Sequence, residues 1–302
     1  ERSIATLKSH LGKIEDALTR ALCWSATWDM LRDAEISATD FIDIALSGLA
    51  GEDDIATVTI IGNQLTSAIE IYSAPTKRDS ARLKVGNAYE QMVKAAAGGS
   101  DHQLQYARNF TAFASSAEHN DLIKELLDGK LSGLKVDADL RWTFVIALAE
   151  RGLMDKEALA AELLKDNTLT GQLSHATALA ALPTPEAKAQ TWKSITTEEI
   201  STSQREAKIA GFMRALHRPL LASYVDPYFD LLLETWGKKS YEVASKFVTG
   251  MYPAYITNQA TLDKTINWLE NAGKDGQAGL RRLVSEGRDS LERALKVQAK
   301  DK

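Results

Sequence analysis

Few side chains in this sequence stand at spacings that could do chemistry. The five histidines are His10, His102, His119, His175 and His217, and the closest two are 17 residues apart. A helical zinc site needs ligands about three or four residues apart on one face, so no H-E-x-x-H pair exists here. No G-x-S-x-G turn presents a serine nucleophile, no G-x-x-x-x-G-K-[ST] loop cradles phosphate, and no G-x-G-x-x-G follows a strand. Gly273, Gly276 and Gly279 form a loose run between two helices, which reads as a flexible turn. Cys23 lies in an apolar helical pattern and reads as a small core residue rather than a nucleophile. Asn109-Phe-Thr111 matches a glycosylation sequon inside a helical stretch and reads as chance. Carboxylates are plentiful, but on helices they belong to solvated faces, and none is paired by spacing with a group that would shift its pKa. No residue of this chain is therefore assigned to catalysis, cofactor binding or metal binding.

The most informative stretch is Arg20–Glu35, RALCWSATWDMLRDAE. Trp24 and Trp28 share a helical face with Ala17, Ala21 and Leu31, while Leu18, Leu22, Ala26 and Met30 follow at four-residue steps on nearly the opposite face. A helix with two apolar faces needs partners on both, so it belongs between layers. Asp29 and Arg32 are spaced to pair, next to Asp33. Paired charges beside large aromatics suit a domain interface, which makes Trp24, Trp28, Asp29 and Arg32 the candidate interdomain contact. Trp142, Trp192, Trp236 and Trp268 each fall on the apolar stripe of a different helix, where packing is the simpler role.

The elements that would position these residues are helices throughout. Ile4, Leu7, Leu11, Ile14 and Leu18 hold a stripe broken near Gly12. Ser37 and Asp40 have capping-box spacing ahead of Phe41, Ile44 and Ala45. Thr184-Pro185 and Asp226-Pro227 each read as an N-cap followed by proline at the first helical position, Asp137 and Thr257 open further helices, and the last helix starts near Gln277. Val58-Thr-Ile-Ile61 is β-branched enough for a strand but sits inside a longer helical stripe, so helix is predicted. The total is about sixteen helices joined by connectors of about two to eight residues. No strict period supports a tetratricopeptide or ankyrin array. The expected fold is all-α, a HEAT-like α-solenoid in which antiparallel pairs stack into a right-handed superhelix on the order of 70 Å long with a concave face.

Composition limits the partners. Apolar residues make up 44% and charged residues 25% of 302, as in soluble globular proteins, and the net charge of −5 gives no reason to expect nucleic acid or an acidic membrane. No apolar run reaches the roughly eighteen residues that span a bilayer. One cysteine excludes an internal disulfide and fits a reducing cytoplasm. The start, Glu1-Arg-Ser-Ile4, carries no signal-peptide core and no initiator methionine, which fits a piece of a longer protein.

Several segments resemble the C-terminal helical domain of bacterial aminopeptidase N, a gluzincin-type zinc metallopeptidase. They are Glu1–Leu7, Arg20–Glu35, Asp137–Trp142, Asp166–Gln172, Leu182–Lys188, Ala210–Phe212, Tyr224–Tyr228 and Gly250–Pro253, which together run almost the length of the chain in order. The resemblance implies one C-terminal helical domain over residues 1–302, with the catalytic and β-domains outside the chain. The G-x-M-E-N and H-E-x-x-H motifs of that family are absent, so zinc is expected in the catalytic domain of a parent enzyme. The implied role is to cover the active site, restrict substrate size, and contact the catalytic domain of the same polypeptide and peptide substrates. A freestanding HEAT-like protein-binding scaffold is the alternative.

Overall fold

The computed structural model describes residues 2–302, with side chains from Ile4 onward. Among the described residues every regular element is helical. The chain divides into two compact units, one formed by the segment ending at Leu140 together with Arg293–Lys302, the other by Arg141–Glu292.

The first unit contains α1 (Arg2–His10), α2 (Ala17–Arg32), α3 (Ala38–Leu49), α4 (Ile55–Ser67), α5 (Arg78–Ala95), α6 (Asp101–Phe113) and α7 (Ala117–Leu127), and α8 (Ala138–Glu150) begins in it. Its core is built on Phe41, Ile44, Ile61, Tyr89, Phe110 and Phe113, all essentially without exposure. The break near Gly12 is a short 3-10 turn after α1, and the Val58–Ile61 run lies within α4 as a helix. Ser37 and Asp40 form the reciprocal capping box of α3. A π-helical turn, Ala68–Tyr72, extends α4 and carries the buried Glu70 to Arg82 of α5, which grips both carboxylate oxygens from one nitrogen at 2.7 and 2.9 Å.

The second unit continues with α9 (Lys156–Lys165), α10 (Leu169–Ala180), α11 (Pro185–Thr197), α12 (Thr202–Phe212), α13 (Arg218–Leu221), α14 (Val225–Lys238), α15 (Tyr241–Gly250), α16 (Gln259–Glu270) and most of α17 (Ala278–Lys300). Since α13 spans only four residues, there are sixteen helices of ordinary length among the described residues, as the hydrophobic periodicity predicts. The core of this unit centres on Phe212, Tyr228, Leu232, Phe247, Trp268 and Leu280. The end of α17 belongs to the first unit, where the buried Asp301 carboxylate accepts from the Thr39 amide at 2.9 Å and the Ala74 amide at 3.0 Å.

Three sequence expectations need correction. Asp226-Pro227 does not start its helix; α14 already begins at Val225 with Tyr224 at the cap position and no side-chain cap bond. Asn258, not Thr257, caps α16, because its side chain accepts from the Thr261 amide. The outer face of α2 is not covered: Leu18 and Leu22 are 69% and 62% exposed.

Candidate functional site

Helix α2 is started by Asp16, whose carboxylate accepts from the Thr19 amide at 2.8 Å. Its inward face is Arg20, Trp24, Thr27 and Leu31. Arg20 donates to the Glu52 carboxylate at 3.1 Å, to the backbone oxygens of Ile14 and Glu15, and to the exposed Asp53. Trp24 lies against Gly48 of α3, and its indole nitrogen donates to Glu52 at 3.0 Å. Burial raises the Glu52 carboxyl, but the hydrogen bonds from Arg20 and Trp24 outweigh it and leave the group below its ordinary value. A carboxylate does therefore pair with a feature that shifts its pKa, contrary to the sequence reading. The shift has a structural cause: one buried anion joins α2 to the loop after α3.

Trp28 makes different contacts. Its ring is 5.5 Å from that of Phe41 and 5.9 Å from that of Tyr72. Asp29 and Arg32 do pair, at 3.9 Å, with side chains 64% and 41% exposed, so water screens most of the attraction. Beyond them Arg293 donates to Asp33 at 2.9 Å, tying the end of α2 to α17. The four candidate residues thus occupy two settings: Trp24 and Trp28 pack inward, whereas Asp29 and Arg32 lie toward solvent on the side of the helix that also exposes Leu18 and Leu22.

The other segments singled out in the sequence meet one another in pairs. Trp142 of α8 donates its indole N–H to Asp166 at 2.9 Å, and Asp166 precedes the α10 N-cap Thr168. A side chain on Gly171 would collide with the Asp166 carbonyl, so only glycine permits this turn to close. Lys188 of α11 is fully buried and donates to the carbonyls of Ala180, Gly211 and Phe212 at 2.8, 3.3 and 3.1 Å. Its ammonium lies at the C-terminal ends of α10 and α12, which is where a cation is favoured. Burial and then the positive charge of Arg214 push Lys188 down to about 7, with Glu150 opposing. Tyr228 of α14 donates to the Val248 carbonyl at 2.7 Å and meets Tyr252 edge-on.

Sequence reasoning missed Arg20, Glu52, Lys188 and the Arg141–Glu162 pair, which meets at 2.6 and 2.9 Å. Lys188 had one available signal: a lysine flanked by Ala187 and Ala189 on a face shared with Thr191 and Ile195 is a charge inside an apolar stripe. His102 and His217 bind backbone oxygens of Glu52 and Glu150 at 3.0 and 2.8 Å. Among the described residues no group of three or more His, Cys, Asp and Glu is placed to hold a metal ion. Among the described residues no helix is long and apolar enough to cross a membrane. Buried polar side chains here fasten helix ends together, and that is what these sites do chemically.

These junctions belong to a chain whose described elements are all helical, and the comparisons give its family. Residues 1–293 match the model of the ERAP1-like C-terminal domain, and the chain belongs to that family. Aminopeptidase N of Streptomyces lividans is 43% identical over 304 residues, a match that takes in 100% of this chain and 35% of the relative. The chain thus spans about a third of the length of that relative.

Proposed function

We propose that residues 1–302 form the non-catalytic C-terminal helical domain of a zinc-dependent aminopeptidase that removes N-terminal residues from peptides in the cytoplasm. The observation that carries this reading is the match of the whole chain to 35% of a protein named Aminopeptidase N. Zinc and the water it activates would belong to the catalytic part of the parent polypeptide, because the histidines of this chain are scattered and those at 102, 119 and 217 are engaged with Glu52, Asn87 and Glu150. The role of this domain is to cover the active site as a HEAT-like superhelix, limit substrate size, and contribute contacts to peptide and to the catalytic domain.

The outward side of α2 supports the interdomain part of that role. Leu18 and Leu22 are one helical turn apart and exposed, with exposed Ala21 and Ala26 beside them, so a partner can approach closely and remove apolar surface from water. Asp29 and Arg32 continue the same helix as a polar rim, and Trp24 and Trp28 act from beneath by fixing it to α3. The test is reconstitution. The remainder of the parent polypeptide, produced separately, is titrated with this chain and association is followed by calorimetry. A saturable complex that Leu18→Gln/Leu22→Gln weakens is expected. Failure of the two parts to associate would contradict the reading.

A further inference from the structure

The Arg141–Glu292 unit contains a cleft of about 360 Å³ between the first residue of α9 and helices α10, α11 and α12. Its floor is apolar, with Ala176 and Leu179 from α10 and Ala187 from α11. The polar groups on its walls are arranged unusually. The Ser194 hydroxyl donates to the Glu198 carboxylate at 2.5 Å and accepts from the Lys208 ammonium. The two charges thus share one hydroxyl instead of meeting each other, and among the described residues Lys208 has no carboxylate within ion-pair distance. An ammonium has three donors and a carboxylate has about four acceptor positions, so both keep unused capacity toward the cleft.

Two neutral groups are also unspent. Thr191, one turn before Ser194 on α11, is only 8% exposed and its hydroxyl makes no hydrogen bond among the described residues. His175 Nε2 is buried without a hydrogen-bond partner, and burial pushes that imidazole down, so the ring is neutral at pH 7. Leaving a buried polar atom such as His175 Nε2 unpaired is costly, and polar groups with spare capacity around one apolar-floored cavity are a property of ligand sites.

The charge pattern selects the ligand. The exposed Lys156 also lines the cleft, so a simple anion would meet two lysines but be opposed by Glu198, and a simple cation would meet the reverse. A zwitterion with a short apolar body satisfies both charges and covers the floor. We propose that this cleft binds a free α-amino acid with an aliphatic side chain, its carboxylate held by Lys208 and Thr191 and its ammonium by Glu198. The inference stands on the lining of the cleft and not on the aminopeptidase reading, under which the ligand would be the parent enzyme's own product class.

The experiment titrates the full chain with L-leucine, N-acetyl-L-leucine and L-leucinamide, following heat and the amide resonances of α10, α11 and α12. Leucine should saturate shifts on these helices. Each blocked compound loses one charge-assisted contact and should bind about tenfold or more weakly. Thr191→Val keeps the shape of the wall and should weaken leucine by roughly tenfold. Glu198→Gln should weaken leucine while leaving N-acetyl-leucine, which has no ammonium, unchanged; a folding defect would not separate the two. Equal binding of the three compounds, shifts confined to other helices, no binding at all, or a Glu198→Gln variant that binds leucine normally would each overturn the proposal.

Discussion

Gly48 has no room for a side chain, because a Cβ there would stand 2.5 Å from the Trp24 ring. Gly48→Ala should therefore cost about 1–3 kcal/mol through overpacking. The check is a denaturant melt read at the tryptophan signal; an unshifted midpoint would show that Trp24 does not bear on α3 as described. Lys188 gives a second residue-scale prediction, and its sign follows from linkage. Its folded value of about 7 lies below the ordinary 10.5, so between these pH values the unfolded chain holds more protons. Stability then rises with pH from about 7 toward 10.5 on account of this group and levels off outside that window. Lys188→Met should be less stable than the parent near pH 9, where the carbonyls around it lose the two N–H groups of the neutral amine, and should lack that rising component. Urea midpoints measured from pH 7 upward for both chains test it; parallel curves would contradict it. Gly48, one of 18 glycines, was not legible in the sequence, and for Lys188 the only hint was the face it shares with Thr191 and Ile195. Which charge is buried also depends on helices distant in the chain, such as α12, whose carbonyls receive Lys188.

At the scale of elements, legibility followed the origin of each signal. The capping box of α3, the Thr184-Pro185 start of α11 and the helical character of Val58–Ile61 were readable because caps and periodicity are local. Asp226-Pro227 misled because two short turns, Ala215–His217 and Ala222–Tyr224, run into α14 and let the helix start without a side-chain cap. On α2 the pattern was read correctly and its consequence was not. Both apolar faces exist, but only the one with Trp24 and Leu31 is covered, and Leu18 and Leu22 lie open. Periodicity reports that a face is apolar without saying whether anything in the same chain covers it. Leu18→Gln/Leu22→Gln should change the stability of the isolated chain by no more than about 0.5 kcal/mol, because exposed positions contribute little. A large drop in its melting temperature would mean that the face is already covered within this chain. Arg32→Ala should likewise be nearly silent in stability, as its ion pair with Asp29 is exposed.

On the scale of the whole molecule, a chain of two compact units matches 35% of a 43% identical aminopeptidase. The family was legible in the sequence because segments such as Asp137–Trp142 with Asp166–Gln172, and Leu182–Lys188 with Ala210–Phe212, are junctions between helices. Junctions need particular residues, whereas solvated helical faces tolerate many. The residues that would serve the proposed role in substrate selection were not legible, since local pattern does not show which surface meets a peptide. The most direct measurement of the central claim is zinc-dependent release of N-terminal residues from a short peptide and from an unfolded full-length protein, by the catalytic part alone and by that part saturated with this chain. The account predicts that this chain alone releases nothing above background, and that adding it lowers turnover of the long substrate relative to the short one. Zinc-dependent turnover by this chain alone, or an unchanged ratio between the two substrates, would contradict it.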